Sequence, residues 1–583
     1  MARTATTRRT RASIPAKSPG PQGAVPHHRR PWPVFVLLFA GVAAALVVFA
    51  PALNGTFVFD DIYLPFANPN AAQAPADFWI GGVRPVLMLT YWANFLISGT
   101  HALSYHLVNI ALHAANAFLV FLILEHVFAF SGGQFDRRRF ALIGAAIFLV
   151  HPLQTESVAY IAGRSELVAG FFFLTAWLLF LRNFKKPSGF GLTLTICLLT
   201  GLAIESKESA VSLPAVLLLT DVCFSVRPLR EQLLARWKLW SLLLLGAVAA
   251  GIVILLRLTR STAGFSEGVS GFSYALTQCR VILIYLRMFL LPIGQNGDWR
   301  LPFYRSLTDG GAMIRAIGLL LLLAFTFRIF RRDRLMAYGF GIFFVILAPT
   351  SSIVPIKDAL AERRMYLPMI GLIVALLAAV AAAAAKWRLP PVVRRSVAIA
   401  ALTALAVVSW NRSSVWASDL DFWKATAATD PGNSRAHQGL GMAFALRKEY
   451  GAAVREFDAA RKLTPSDMEV VWNLARALEA EGNYKDALPV YQLYAAGRPS
   501  SMVYDRIGFV EARLGNTDKA LEALNQALTV NSYDPTAYVY RGLVFMALRD
   551  SERARADLTL ALRIEPGNPI ATNGLARLNS KTQ

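Results

Sequence analysis

Charge is scarce in this chain: 16% of its 583 residues are Asp, Glu, Lys or Arg, and three are cysteine. Ordinary soluble domains carry about 25% charged residues, so a single water-soluble fold is excluded. Cys197, Cys223 and Cys279 sit apart in apolar surroundings without metal-ligand spacing, which excludes a disulfide framework and a cysteine-based zinc site. Acids are scarcer than bases, 37 against 59, for a formal net charge of +22. Such an excess can mark nucleic-acid binding, but its placement argues otherwise. Residues 1–32 and five short segments, Asp136–Arg139, Arg182–Lys186, Arg227–Lys238, Arg328–Arg334 and Lys386–Arg395, hold 25 of the basic residues and 3 of the acidic ones. These segments alternate with apolar runs, the positive-inside pattern of a polytopic membrane protein. No nucleic-acid partner is expected.

Long apolar runs supply the rest: 55% of residues are hydrophobic and the mean hydropathy is +0.44. Between the basic segments about eleven spans are expected, near Pro33–Pro51, Ser104–Leu124, Phe140–Thr155, Leu167–Leu181, Ser188–Ile204, Ser209–Val222, Leu239–Leu256, Ala312–Phe327, Leu335–Pro355, Met365–Ala385 and Ser396–Val415. Several cores are shorter than the ~18 residues of a clean span, so flanking Arg and Lys would snorkel. With the basic N-terminus inside, an odd number of spans leaves residues 416–583 outside. The chain thus divides into a disordered basic cytoplasmic N-terminus (1–32), a transmembrane domain (33–415) and a repeat domain (416–583). Ala50-Pro51-Ala52 faintly resembles a signal-peptidase site, but the apolar run before it is longer than a usual signal core. Arg84–Ser98 and Ser273–Leu291 are aromatic-rich with interrupted polarity, as expected of helices lying in the outer interface.

The C-terminal region repeats. Pro431, Pro465 and Pro499 are 34 residues apart, and Ala453, Ala487, Ala520 and Ala554 keep nearly the same period. That period, with small residues at helix crossings, is the tetratricopeptide signature. Four full repeats and a terminal helix are expected, each pair stacking on the next to bury its face. Such an array presents a groove to a polypeptide, and residues 431–583 are the expected acceptor- or partner-binding surface.

Ionisable residues near a bilayer are costly and therefore candidate site residues. The first outer loop opens with Asp60-Asp61, which could bind a divalent cation, supply a general base with its support, or simply cap a solvated loop start. The second carries His151-Pro152, Glu156, and Gly163-Arg164-Ser165-Glu166. The third reads Glu205-Ser206-Lys207-Glu208, either a neutralised ion-pair knot or a phosphate contact. A later loop has Asp298-Trp299-Arg300, and the last reads Ala361-Glu362-Arg363-Arg364-Met365-Tyr366. Each admits a bland reading as caps, salt bridges or headgroup contacts. Jointly they describe an outer-leaflet cavity with a carboxylate pair and cationic phosphate contacts. That suits a lipid-phosphate donor, whose anionic leaving group needs Arg and Lys while a carboxylate takes the acceptor proton.

The ordered set FVFDD, RPV with LTYWANFLISG and SYHLVNIALHA, HPLQTESVAYIAGRSELVA, ESKESAV and ERRMYLP, followed by the repeats, resembles the transmembrane and tetratricopeptide repeat-containing proteins. In animals these are O-mannosyltransferases of the endoplasmic reticulum. The resemblance implies an all-α GT-C glycosyltransferase domain of about eleven spans. It also implies a polyprenyl-phosphate sugar donor, a Ser or Thr hydroxyl acceptor and transfer with inversion. Its motifs fall on Asp60 and Asp61; on His151, Pro152, Thr155 and Glu156; on Ser206, Lys207 and Glu208; and on Glu362, Arg363, Tyr366, Leu367 and Pro368. Asp60 and Asp61 are then the expected catalytic pair, and the metal ligands if a divalent cation is used; no other cofactor is expected. Lys207, Arg363 and Arg364 are expected on the donor phosphate, with His151, Glu156, Glu208 and Tyr366 in support. The Arg/Ala-rich composition, short loops and lack of a retention signal point to a bacterial homologue in the inner membrane, with undecaprenyl phosphate as carrier and the repeats periplasmic. The rival readings are a non-enzymatic membrane-anchored tetratricopeptide scaffold and a transporter. The latter would place polar residues in mid-span on both sides, whereas here they gather on one.

Overall fold

A computed structural model describes residues 34–80, 82–130, 136–186, 189–258 and 268–580. The basic leader read at residues 1–32 lies outside the described residues. Their regular structure is helical, joined by turns and loops, with no strand among the described residues. Each of the eleven apolar segments forms a helix. Six helices have the length and apolarity to cross a membrane: Phe35–Leu53, Ala102–Ala129, Ile161–Arg182, Ala312–Phe330, Pro368–Lys386 and Pro391–Trp416. A bent pair, Arg137–Val150 with Pro152–Val158, makes a seventh. Phe190–Ser206, Leu213–Phe224, Trp237–Leu258 and Arg334–Leu347 account for the remaining four segments. Helices thus stand at all eleven positions, but length and apolarity qualify only six or seven of them to cross a membrane.

Local chemistry starts and bends these helices. The two acids of the basic segments around 136 and 333 are N-caps: Asp136 accepts from the Arg139 N–H at 3.3 Å and Asp333 from the Met336 N–H at 3.0 Å. His151-Pro152 breaks the third apolar segment by 52°, because proline removes an N–H and clashes with the preceding turn. Helices Arg334–Leu347 and Pro368–Lys386 pack backbone to backbone through glycine. A Cβ on Gly371 would stand 2.3 Å from the Gly339 carbonyl oxygen and 2.5 Å from the Phe343 nitrogen, the small-residue contact that lets apolar helices associate.

Several polar groups inside the bundle bond one another. Asn116 Nδ2 donates to the Leu167 carbonyl (2.9 Å) and the Tyr366 hydroxyl (3.0 Å), and His113 bridges Tyr366 and the Leu149 carbonyl. Arg164, completely buried, finds no carboxylate. Its guanidinium donates to Asn109 Oδ1 and Asn94 Oδ1, both at 2.8 Å, and to two carbonyls, and it lies 4.6 Å from the Tyr91 ring. These bonds strap Pro85–Ser98, one of the two aromatic-rich helices, onto the helices beginning at Ala102 and Arg164.

After Ser414–Trp416 and Asp419–Thr429, four antiparallel helix pairs run from Ser434 to Ile564 and a last helix spans Pro569–Ser580. Ala453, Ala487, Ala520 and Ala554 are fully buried at the crossings. A Cβ on Gly441, Gly508 or Gly542 would run into Phe457, Leu524 or Leu558. The period of 34 therefore reports close helix approach. The first pair docks on the bundle: Asp298 accepts from Asn433 Nδ2 at 3.1 Å and from Arg435 Nε at 2.8 Å, and Arg300 donates to the Gly432 carbonyl at 2.7 Å.

Candidate active site

The loop bearing Asp60 and Asp61 is built around Phe59, which holds φ = +58° although it has a side chain. A left-handed non-glycine residue costs roughly 1–2 kcal/mol and persists where its surroundings dictate it. Here they do. The Phe59 ring packs on Phe422 (5.1 Å), Trp423 (5.6 Å) and Tyr160 (6.1 Å), with the Arg435 guanidinium 5.5 Å away, and its N–H donates to Asp419. The two carboxylates consequently part. Asp61 turns inward, 1% exposed, accepting from the Ala162 N–H at 2.8 Å and the Val58 N–H at 3.2 Å. Burial pushes its pKa up to about 8 against those hydrogen bonds. Asp60 stays accessible beside the Tyr160 hydroxyl. Desolvation raises its pKa above the usual carboxylate value, and Arg363, Tyr160 and Arg435 only partly offset this.

Three cation–carboxylate pairs follow along the same end of the bundle. Arg363 donates its backbone N–H to Glu156 Oε2 at 2.9 Å and its guanidinium to Glu156 Oε1. Burial would lower the Arg363 pKa, but the field of Glu156 and Tyr160 raises it. Lys207 pairs with Glu166 inside the protein, where burial outweighs the pairing and lowers its pKa. Arg84 grips Glu208 with both Nε (3.0 Å) and Nη2 (2.8 Å); against the upward pull of burial this fork holds the Glu208 carboxyl below its usual range. Arg363 is close enough to influence both Asp60 and Lys207. Glu166, Lys207, Ser209, Thr350, Arg364 and Leu367 line a narrow hollow. Arg364 is steadied by donating to the Asp358 and Ala359 carbonyls at 2.6 and 3.0 Å.

Of the residues singled out in the sequence, Asp60, Glu156, Lys207, Glu208, Arg363 and Arg364 thus share one end of the bundle, the end on which the repeats dock. His151 and Tyr366 are placed inside instead. His151 accepts from the Leu153 N–H (3.2 Å), contacts the Phe289 carbonyl (3.0 Å) and stacks on the Phe289 ring. The Tyr366 hydroxyl is held by His113 and Asn116. Glu362, fully buried, anchors the last loop by accepting from the Asn296 N–H (2.7 Å), Gln295 Nε2 (2.6 Å) and Trp299 Nε1 (3.1 Å). Burial raises its pKa to about 7. Among the described residues no group of three or more His, Cys, Asp or Glu is arranged to hold a metal; of the acidic pair, Asp61 is buried and Asp60 exposed.

The sequence reading named Glu166 only within its second-loop cluster, and missed Arg84, Tyr160 and Arg435 as site residues. Arg84 and Tyr160 stand within motifs that carry the resemblance, so their position in those motifs was a usable signal. Arg435 lies in the first repeat helix, off the phase that defines the repeat, and nothing in the sequence relates it to Asp60.

The family model described as tetratricopeptide repeat matches residues 448–501 and 510–569. The human protein O-mannosyl-transferase TMTC4 is 26% identical over 498 residues, covering 73% of this chain and 66% of its own length. The mouse protein O-mannosyl-transferase TMTC3 is 22% identical, covering 88% of this chain and 62% of its own. The chain therefore spans less than two thirds of these relatives. Among solved structures, YrrB, a tetratricopeptide repeat protein with an unusual peptide-binding site, is 20% identical over 27% of this chain and 81% of its own, with a TM-score of 0.26. The chain is thus similar to proteins named as protein O-mannosyl-transferases over most of its length, carries tetratricopeptide repeats in its C-terminal part, and has six or seven helices long and apolar enough to cross a membrane.

Proposed function

We propose that this chain transfers a sugar, mannose in the reading its relatives support, from a polyprenyl-phosphate donor to Ser or Thr hydroxyls of exported polypeptides. The observation that carries this is the accessible carboxylate of Asp60 at the same end of the bundle as three fixed cations: Arg363 held by Glu156, Lys207 by Glu166, and Arg364 by the Asp358 and Ala359 carbonyls. Asp60 takes the proton of the acceptor hydroxyl, and the oxygen attacks the anomeric carbon from the face opposite the phosphate. As that C–O bond forms, the bond from the anomeric carbon to the phosphate oxygen breaks and its electrons leave with polyprenyl phosphate. Desolvation favours the proton on Asp60 more than water would, as a general base requires.

The leaving phosphate needs neutralisation rather than protonation. Lys207 and Arg364 line the hollow beside Asp60's neighbour Arg363, and these three cations receive it. Glu156 and Glu166 keep Arg363 and Lys207 in place, the Asp358 and Ala359 carbonyls steady Arg364, and Glu208 holds Arg84; Asp61 fixes the loop that aims Asp60, and His151 and Tyr366 support the bend and the last loop from within. In this reading the site faces away from the cytoplasm, the basic segments face it, and residues 431–583 present the acceptor. Purified protein with labelled polyprenyl-phosphate mannose and a Ser/Thr-rich exported polypeptide tests the reading. Asp60→Asn should lower transfer by at least a hundredfold while elution volume and thermal midpoint stay unchanged. A variant retaining full activity would remove Asp60 from the chemistry.

A further inference from the structure

The end of the bundle opposite Asp60 carries a second concentration of charge. Helix Arg164–Arg182 has Glu166 at its start and leads into Lys185 and Lys186 at its finish; its 19 residues span roughly 28 Å at 1.5 Å per residue. There, where the ends of Ala102–Ala129, Arg164–Arg182 and Leu213–Phe224 meet the start of Arg334–Leu347, a cavity of about 590 Å³ opens beside the short helix Leu229–Ala235. Lys185, Lys186, Arg227, Arg332 and Arg334 line it, and all five are exposed. Among the described residues none of them forms an ion pair.

The other charged groups at the cavity are already committed. Arg236 is buried and bonds Asp221 at 2.5 Å and the Phe184 carbonyl, with the Phe180 ring 4.7 Å from its guanidinium. Asp333, the lining carboxylate, caps the Met336 N–H. Five exposed cations face the single carboxylate of Asp333 around one hollow; they repel one another, and an anion with several acceptor oxygens would relieve that repulsion.

The walls say which anion. Phe130 and Phe224 stack at 4.4 Å and 15° on one side of the cavity. Val226 lines it and is exposed, and Leu229 and Leu234 of the neighbouring short helix, with Trp237 just after it, are exposed as well. An exposed apolar strip with a tryptophan beside lysines and arginines is the composition of a segment seated at headgroup depth. Basic pockets between helices with adjoining apolar surface suit phospholipid headgroups.

We infer that this hollow binds a phosphate-bearing anion, with the headgroup of an anionic phospholipid as the occupant its apolar walls favour. It is separate from the donor site and stands whether or not the chain transfers sugar. Native mass spectrometry of the full chain, in micelles containing phosphatidylglycerol or phosphatidylcholine, reads the occupancy. The parent should retain phosphatidylglycerol over phosphatidylcholine, and Lys185→Gln/Arg227→Gln/Arg334→Gln should lose that retention at least tenfold. Arg388→Gln/Arg394→Gln/Arg395→Gln makes the same charge change on another basic loop and should keep it. In a second arm, millimolar inorganic phosphate or pyrophosphate that raises the thermal midpoint of the parent but not of the hollow variant would assign the site to a free phosphate. If the triple variant fails to fold, Lys185→Gln alone should weaken binding about threefold. The inference is overturned if parent and hollow variants behave alike in both arms, or if the control loop loses as much as the hollow.

Discussion

Replacing Glu156 by glutamine isolates one interaction on which the candidate site depends. The side chain is 2% exposed and its partner Arg363 is 24% exposed. Both carboxylate oxygens are engaged, one by the Arg363 backbone N–H and one by its guanidinium. Glutamine keeps the shape, removes the charge and turns one acceptor into a donor facing another donor. Losing a charge-assisted bond costs about 1.5–3 kcal/mol, and stripping one partner from a fully buried pair about 3–5 kcal/mol. Because the Arg363 side chain is partly exposed to water, the lower end applies, roughly 2–3 kcal/mol, equivalent to about 30–150-fold in the unfolding equilibrium. Denaturant titration followed by tryptophan fluorescence measures this for Glu156→Gln, Arg363→Met and the double variant. The double variant should lose less than the two singles together, with an interaction of about 2 kcal/mol in the cycle. Strict additivity, or a Glu156→Gln variant within about 0.5 kcal/mol of the parent, would refute the pairing as the support of Arg363.

Asp61 binds its proton more tightly when folded than when unfolded, because burial raises its pKa to about 8. Between pH 4 and 8 the folded state therefore holds more protons, and stability should fall as pH rises through that window; thermal midpoints of Asp61→Asn should show a shallower fall than the parent. Gly371→Val would press a side chain into the Gly339 carbonyl and the Phe343 nitrogen, costing at least 1–3 kcal/mol, whereas Gly201→Ala points into open space and should leave the midpoint unmoved. Asp298→Ala removes the acceptor shared by Asn433 and Arg435; protease cutting between residues 414 and 433 should accelerate about tenfold while cutting within 434–564 does not.

The tetratricopeptide repeats were legible residue by residue, since alanine at the crossings and proline at the turns recur at a fixed interval and the packing they specify is between near neighbours in the chain. The apolar helices were legible for the same reason: hydropathy is a property of contiguous segments. The candidate site was legible in part. Asp60, Glu156, Lys207 and Arg363 could be picked out because charges beside apolar runs are conspicuous, but their pairing could not. Glu166 rather than Glu208 holds Lys207, and Glu208 turns instead to Arg84.

What the sequence by itself determined is therefore the helical class, the repeat array and the roster of charged residues at one end of the bundle. Only the tertiary structure decided that Asp60 and Asp61 diverge, that Phe59 adopts a left-handed backbone to make them do so, and that Arg435 from the first repeat stands beside them. The reason is physical. Period and hydropathy act along the chain, where neighbouring residues constrain one another directly. The direction of a carboxylate and the partner of a buried cation depend on packing between segments far apart in the sequence, whose meeting no local pattern encodes.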